Sequence, residues 1–208
     1  MPTPAETERA RRVNSTNKEI VMTVLHILWL PILLSSVFVF IASSIIHMAL
    51  PWWHKGDYVR LPQEDKVMDS FRTFGTPPGD YFVPLAGTMA EMRSQAFKDK
   101  MNKGPVMLLT VMPNGIINMG RALGLWYLYL LVVSLLSGYV ALHALPVWLG
   151  HKAVYRIVGV TSFLGYSAAL WQMTIWYRRS LGTTIRATID GLIYAGLAAG
   201  TFGWLWPR

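Results

Sequence analysis

No cysteine occurs in the chain, which removes disulfide frameworks, thiolate metal sites, iron–sulfur clusters and cysteine nucleophiles together. Charge is also scarce. Asp, Glu, Lys and Arg make up 14% of the 208 residues, against about 25% in an ordinary soluble domain. Two stretches, 20–50 and 122–151, carry none at all. A helix needs roughly 20 apolar residues to cross a hydrocarbon core of about 30 Å, and both stretches exceed that. There is no Walker-type phosphate loop, GxGxxG run, zinc-protease helix or nucleophile elbow either. With none of these constellations, a non-catalytic role is the expectation.

What is abundant is apolar surface: 53% of residues are hydrophobic, with nine Trp, nine Tyr and eight Phe. The expected fold is an all-α integral membrane protein, with four transmembrane helices and a small α/β extramembrane insertion between helices 1 and 2. Residues 1–19 read as a polar tail, 20–50 as the first helix, 51–120 as the extramembrane domain and 121–208 as helices 2–4. The first helix opens on a capping pattern, Thr16-Asn17-Lys18-Glu19. Its apolar stretch is about twice the 7–15 residues of a cleavable signal, so it reads as a retained span, kinked at Pro31. Pro51-Trp52-Trp53-His54-Lys55 marks its exit, since paired tryptophans favour the head-group region. The later spans are expected near 122–143, 153–176 and 183–206, with Pro146 and Gly150 breaking the chain before the third.

Within 51–120, Leu61-Pro62-Gln63-Glu64-Asp65 is a helix start. Val67, Met68, Phe71 and Phe74 follow at helical spacing, and Gly75 can end the helix. Thr76-Pro77-Pro78-Gly79-Asp80 is a turn leading to an extended 81–84. Thr88-Met89-Ala90-Glu91 opens a second helix that should reach Met101. Gly104-Pro105 breaks it before an apolar strand at 106–111. A segment this small is marginal for a core of its own, so a cap leaning on the bilayer is expected.

The formal charge of +8 fits basic loops against anionic lipid better than nucleic acid, for which no motif is present. Basic residues close to the spans divide almost evenly between the two sides. The cluster Arg9, Arg11, Arg12 and Lys18 assigns the N-terminus to the cytoplasm of a bacterial inner membrane.

Several polar residues are candidates for function. His26, His143 and His151 should lie towards one membrane face, and neutral imidazoles from neighbouring helices can ligate haem. His47 and His54, with Asp57 nearby, belong to the opposite face. A spacing of seven across a proline is no recognised ligand pattern, so anchoring by Trp52 and Trp53 is the expected reading. Asp190 is the acid well inside a predicted span, and Arg186, four residues earlier, is its expected ion-pair partner. Gly191, Ala195 and Ala199, like Gly196 and Gly200, repeat every four residues and point to close packing within the bundle or against a partner. Ser35, Ser36, Ser43, Ser44, Ser134 and Ser137 admit the same packing explanation, with a narrow polar path as the alternative.

The combined expectation is an accessory or scaffold subunit of a larger bacterial membrane complex, with lipid and other subunits, or itself, as partners. Three rivals stand beside it. One is a redox anchor holding haem or quinone on the His26, His143 and His151 set. Another is a small cation or proton-coupled transporter built on Asp190 and the serines. The third is a membrane enzyme using His47, His54 or Asp57.

Overall fold

In the computed structural model, the described residues are 26–145 and 150–206. The polar tail with its basic cluster, the Thr16–Glu19 capping pattern, the start of the first helix and the Pro146 break lie outside them. The protein is mostly helical. In chain order the elements are α1 (His26–Ala49), α2 (Pro51–His54), α3 (Glu64–Phe74), β1 (Gly79–Val83), α4 (Met89–Arg93), α5 (Gln95–Lys103), β2 (Met107–Val111), α6 (Met119–Ala144), α7 (His151–Phe163), α8 (Leu170–Tyr177) and α9 (Leu181–Leu205). They fall into two compact units, Met1–Asp57 with Met119–Arg208, and Tyr58–Asn118.

In the first unit, three helices are long and apolar enough to cross a membrane: α1, α6 and the continuous His151–Tyr177 stretch that contains α7 and α8. The fourth expected span is the 25-residue α9. It has the length, but its Thr, Gly, Arg186 and Asp190 leave it outside that apolar set. Helix α1 continues through Pro31 and ends in a π-helical turn, Ile45–Ala49. A second π turn, Leu164–Ala168, joins α7 to α8.

All four helical stretches contribute to two buried clusters. One gathers Leu28, Ile32, Ala141, Val154, Val158, Ala198 and Phe202. The other gathers Val39, Ile46, Leu130, Val133, Tyr166, Tyr194 and Ala195. Small residues allow these approaches. A Cβ at Gly138 would stand 2.9 Å from the Phe202 ring, and one at Gly165 would stand 3.1 Å from Val133. Beside these apolar clusters the interior also buries hydroxyls, and much apolar surface lies outside. Ser35, Ser36, Ser134, Ser137, Ser162 and Ser167 are buried, while Trp29, Leu33, Ile41, Leu125, Leu128, Val132 and Leu136 are exposed.

The second unit is small. Its strands pair antiparallel, with Gly79 opposite Val111 and Val83 opposite Met107. Helix α3 ends at Gly75, whose φ of +60° is the left-handed conformation that glycine adopts without a steric penalty. The helix expected from Thr88 to Met101 is split at Ser94. Thr88 caps α4 through the Glu91 N–H, and Ser94 caps α5 through the Phe97 N–H. Ser94 adopts extended backbone to do so, which ends α4. No residue of Tyr58–Asn118 reaches the buried class.

The two small-residue ridges of α9 differ in their surroundings. A Cβ at Gly191 would collide with Ser167 and approach Tyr166 at 3.3 Å, whereas one at Gly196 or Gly200 would meet nothing within 4 Å among the described residues. Gly191→Ala is therefore expected to destabilise the protein by about 1–3 kcal/mol through overpacking. Gly196→Ala should be neutral or slightly stabilising. Thermal unfolding of the two purified variants checks the contrast.

Candidate metal centre

The π turn Ile45–Ala49 carries His47 at the end of α1, and Leu50 then leaves helical geometry. Pro51 at the first helical position starts the single turn α2, since proline supplies no N–H where none is needed. That turn presents Trp53 and His54, and the Asp57 N–H closes back onto the His54 carbonyl at 3.0 Å. Helix α9 supplies Arg186 and Asp190, one turn apart.

These residues form one connected cluster. The His47 and His54 rings stack, with centroids 4.4 Å apart and planes 15° from parallel. His54 donates its Nδ1–H to Asp57 Oδ2 at 2.7 Å. Its Nε2 lies 3.1 Å from Asp190 Oδ2 but outside hydrogen-bond geometry. Asp190 Oδ1 accepts from the Trp53 indole N–H at 2.9 Å. Asp57 Oδ1 accepts from Arg186 Nε at 2.9 Å and from Arg186 Nη2. His47 donates its Nδ1–H to the Ser43 carbonyl at 2.9 Å, and Ser43 Oγ accepts from the Trp126 indole N–H at 3.0 Å. Asp190 is 3% exposed, His54 is half-buried and His47 is exposed, so the cluster opens to one side.

The arrangement suits a cation. Donor atoms of His47, His54 and Asp190 all lie within 4.8 Å of one another. Both imidazoles commit Nδ1 to an oxygen, which fixes the tautomer and turns the Nε2 lone pair outward. This is the outer-shell pattern of metal-ligating histidines. Two donors at about 2.0–2.1 Å from one ion stand roughly 3 Å apart, as His54 Nε2 and Asp190 Oδ2 do. A His₂–carboxylate set with further positions open matches catalytic zinc and non-haem Fe(II) sites.

The expected Arg186–Asp190 pair is not what forms. Asp190 is engaged by Trp53 and His54, which fold over it from α2, and Arg186 reaches outward to Asp57. His26, His143 and His151 lie apart from this cluster. All three are exposed, and His143 and His151 donate to the Tyr139 and Gly203 carbonyls. The apolar cluster around Phe202 occupies the interior on that side. Gly191, Ala195 and Ala199 are buried in the unit, while a Cβ added at Gly196 or Gly200 would meet nothing within 4 Å among the described residues.

The candidate pair that sequence reasoning set aside is His47–His54. A spacing of seven has no ligand precedent on a regular helix, and only the π turn followed by Pro51 brings the rings together. The available signal was electrostatic: Asp190 is a buried acid, and the motif Trp53-His54-Lys55-Gly56-Asp57 concentrates donors and an acid at the end of a span. Comparisons with protein-family models, with curated proteins and with solved structures find no match to this chain.

Burial pushes the Asp57 carboxyl up, but hydrogen bonds and positive charge from Arg186 and His54 outweigh it and hold the group below its ordinary 3.8. A depressed carboxyl contributes stability that is complete above its unfolded value and lost as pH falls through the folded one. Thermal unfolding followed across pH should show the wild type more stable than Asp57→Asn above about pH 4. The difference should shrink below pH 3.8. A difference constant from pH 7 to pH 2 contradicts the assignment.

Proposed function

We propose that the chain is an integral membrane protein of four spans that holds one divalent transition-metal ion at the end of its bundle, through His47, His54 and Asp190. The observation carrying the metal reading is His54: its Nδ1 is bound to Asp57, and its Nε2 faces Asp190 at 3.1 Å without a hydrogen bond. An ion between them satisfies both groups. Supporting the membrane reading are three helices of spanning length and the large apolar side chains on their exposed faces, among them Trp29, Leu33, Leu125 and Leu136. Helix α9 is the fourth span, tolerated because Asp190 and Arg186 are both paired. An ion held there would supply Lewis-acid or redox chemistry on the open, His47 side. Asp57, itself held by Arg186, orients the His54 ring.

The test is metal analysis of protein purified without chelators and then exposed to Zn²⁺ or Co²⁺. About one equivalent is expected, as for a single His₂–carboxylate site. His54→Ala and Asp190→Ala should lose it, and His143→Ala should retain it. A wild type that takes up neither ion refutes the metal centre.

A second reading, a subunit of a larger membrane assembly, is favoured by Gly196 and Gly200 of α9, where an added Cβ would meet nothing within 4 Å among the described residues. Such small residues let another helix approach closely. Because the chain has no cysteine, Gly196→Cys gives a single labelling site. Oxidative cross-linking in native membranes should trap a second copy or another subunit there, and a purely monomeric product removes this reading.

A further inference from the structure

Helices α7 and α9 pack against each other through Val154, Val158, Ala198 and Phe202. Where the start of α7 meets the end of α9 they leave a cavity of about 340 Å³, lined by His151, Lys152, Tyr155, Arg156, Gly200 and Gly203. Local sequence makes this shape. On α7, Lys152 and Arg156 are four residues apart, as are His151 and Tyr155, so each pair shares a helix face. On α9 the two glycines withhold side chains. A Cβ at Gly200 would meet nothing within 4 Å among the described residues, and one at Gly203 would stand 3.5 Å from the His151 carbonyl oxygen. His151 donates its Nδ1–H to the Gly203 carbonyl, which pins the two helices together at this end.

The cavity carries positive charge with nothing to balance it. Neither Lys152 nor Arg156 is in an ion pair among the described residues. The acids of the described helical unit are Asp57 and Asp190, and both are engaged at the far end of α9. That end is about 15–20 Å away, at 1.5 Å per residue. Like charges four residues apart on a helix repel each other. An anion between them replaces the repulsion with two charge-assisted contacts.

Depth decides what the anion is. The continuous His151–Tyr177 helix has 27 residues, a rise of about 40 Å against a hydrocarbon core of about 30 Å. Roughly its first turn therefore lies at head-group level, with Arg156 just below and its side chain tilted back towards the helix start. Trp204, exposed near the end of α9, belongs to the same level. The volume is at the small end of ligand pockets, about 300–1,000 Å³, which suits a phosphate head group and not its acyl chains. Those have a surface to lie on, since Val160, one turn deeper than Arg156, is exposed.

We infer that this cavity binds the head group of one anionic glycerophospholipid, with Lys152 and Arg156 on the phosphate and Tyr155 donating its hydroxyl. The inference rests on the membrane reading and not on the metal, whose ligands stand at the other end of α9.

The experiment reconstitutes full-length protein into vesicles of equal dioleoylphosphatidylglycerol and dioleoylphosphatidylcholine, releases it in mild detergent and weighs it by native mass spectrometry. Wild type should retain one phosphatidylglycerol, preferred about tenfold over phosphatidylcholine, as two basic contacts to an anionic lipid allow. The double variant Lys152→Gln/Arg156→Gln should lose that preference, and Arg178→Gln/Arg179→Gln, which removes equal charge at the other end of the helix, should keep it. Gly200→Leu fills the cavity without changing charge, and it should lose the lipid as well. Equal effects of the two charge pairs, or retention by Gly200→Leu, overturn the site. Displacement by millimolar inorganic phosphate assigns the cavity to a free anion and overturns the lipid. A chain that never enters the vesicles overturns the membrane reading and this site with it, whereas one that enters without lipid preference overturns the site alone.

Discussion

Asp190 is a carboxylate on a helix interior, and an uncompensated charge there costs several kcal/mol. The surrounding structure answers that cost. Trp53 donates to one oxygen and His54 faces the other, so the chain leaving α1 must fold back over α9 rather than continue outward. His54 is held by Asp57, and Asp57 by Arg186. Two acids are thus held by one guanidinium, one indole and one imidazole, in a single connected clasp between α2 and α9.

The same economy of polar groups runs through the interior. Serines that would face water in a soluble protein are paired with one another or with their own helix carbonyls, as Ser36 and Ser44 are with Ile32 and Phe40. This leaves the outer faces to Leu, Ile, Val and aromatic side chains. Close approach at Gly138, Gly165 and Gly191 supplies part of the contact between the helices. The Tyr58–Asn118 unit has neither resource. It is organised by caps, one strand pair and local turns, with no residue fully withdrawn from its surroundings.

Charge-free length made α1 and α6 legible in the sequence, and capping chemistry marked Glu64–Phe74, Thr88 and Gly75 closely. The break at Ser94 escaped because a residue that caps one helix can end another, and propensity alone favours neither role. The acid Asp190 was legible as an anomaly, but its partners were not. Helical spacing favours Arg186, and only tertiary folding of the α2 turn delivers Trp53 and His54 instead. Likewise the serines could be identified as interior, but not the buried Tyr166 and Tyr194. Tyr166 turns inward through an irregular helix turn that leaves no mark in composition.

Both irregular turns have a further consequence for how the sequence tolerates change. A π turn holds one residue more than the α-helical ladder accommodates, and each residue in an α-helix advances about 100° around the axis. Everything downstream of Leu164–Ala168 is therefore rotated by that angle relative to α7, and α8 presents a face that its upstream stripe would not indicate. The extra residue works as a phase shifter. Single-residue deletions, ordinarily ruinous inside a packed helix, can be absorbed here by relaxation to a regular α-turn. The helix then survives, while Tyr166 swings away from Tyr194. At Ile45–Ala49 the equivalent loss would keep α1 intact and unstack His47 from His54. Length variation in this chain thus separates fold from site, and related sequences one residue shorter at the Ile45–Ala49 turn would share the architecture without the chemistry.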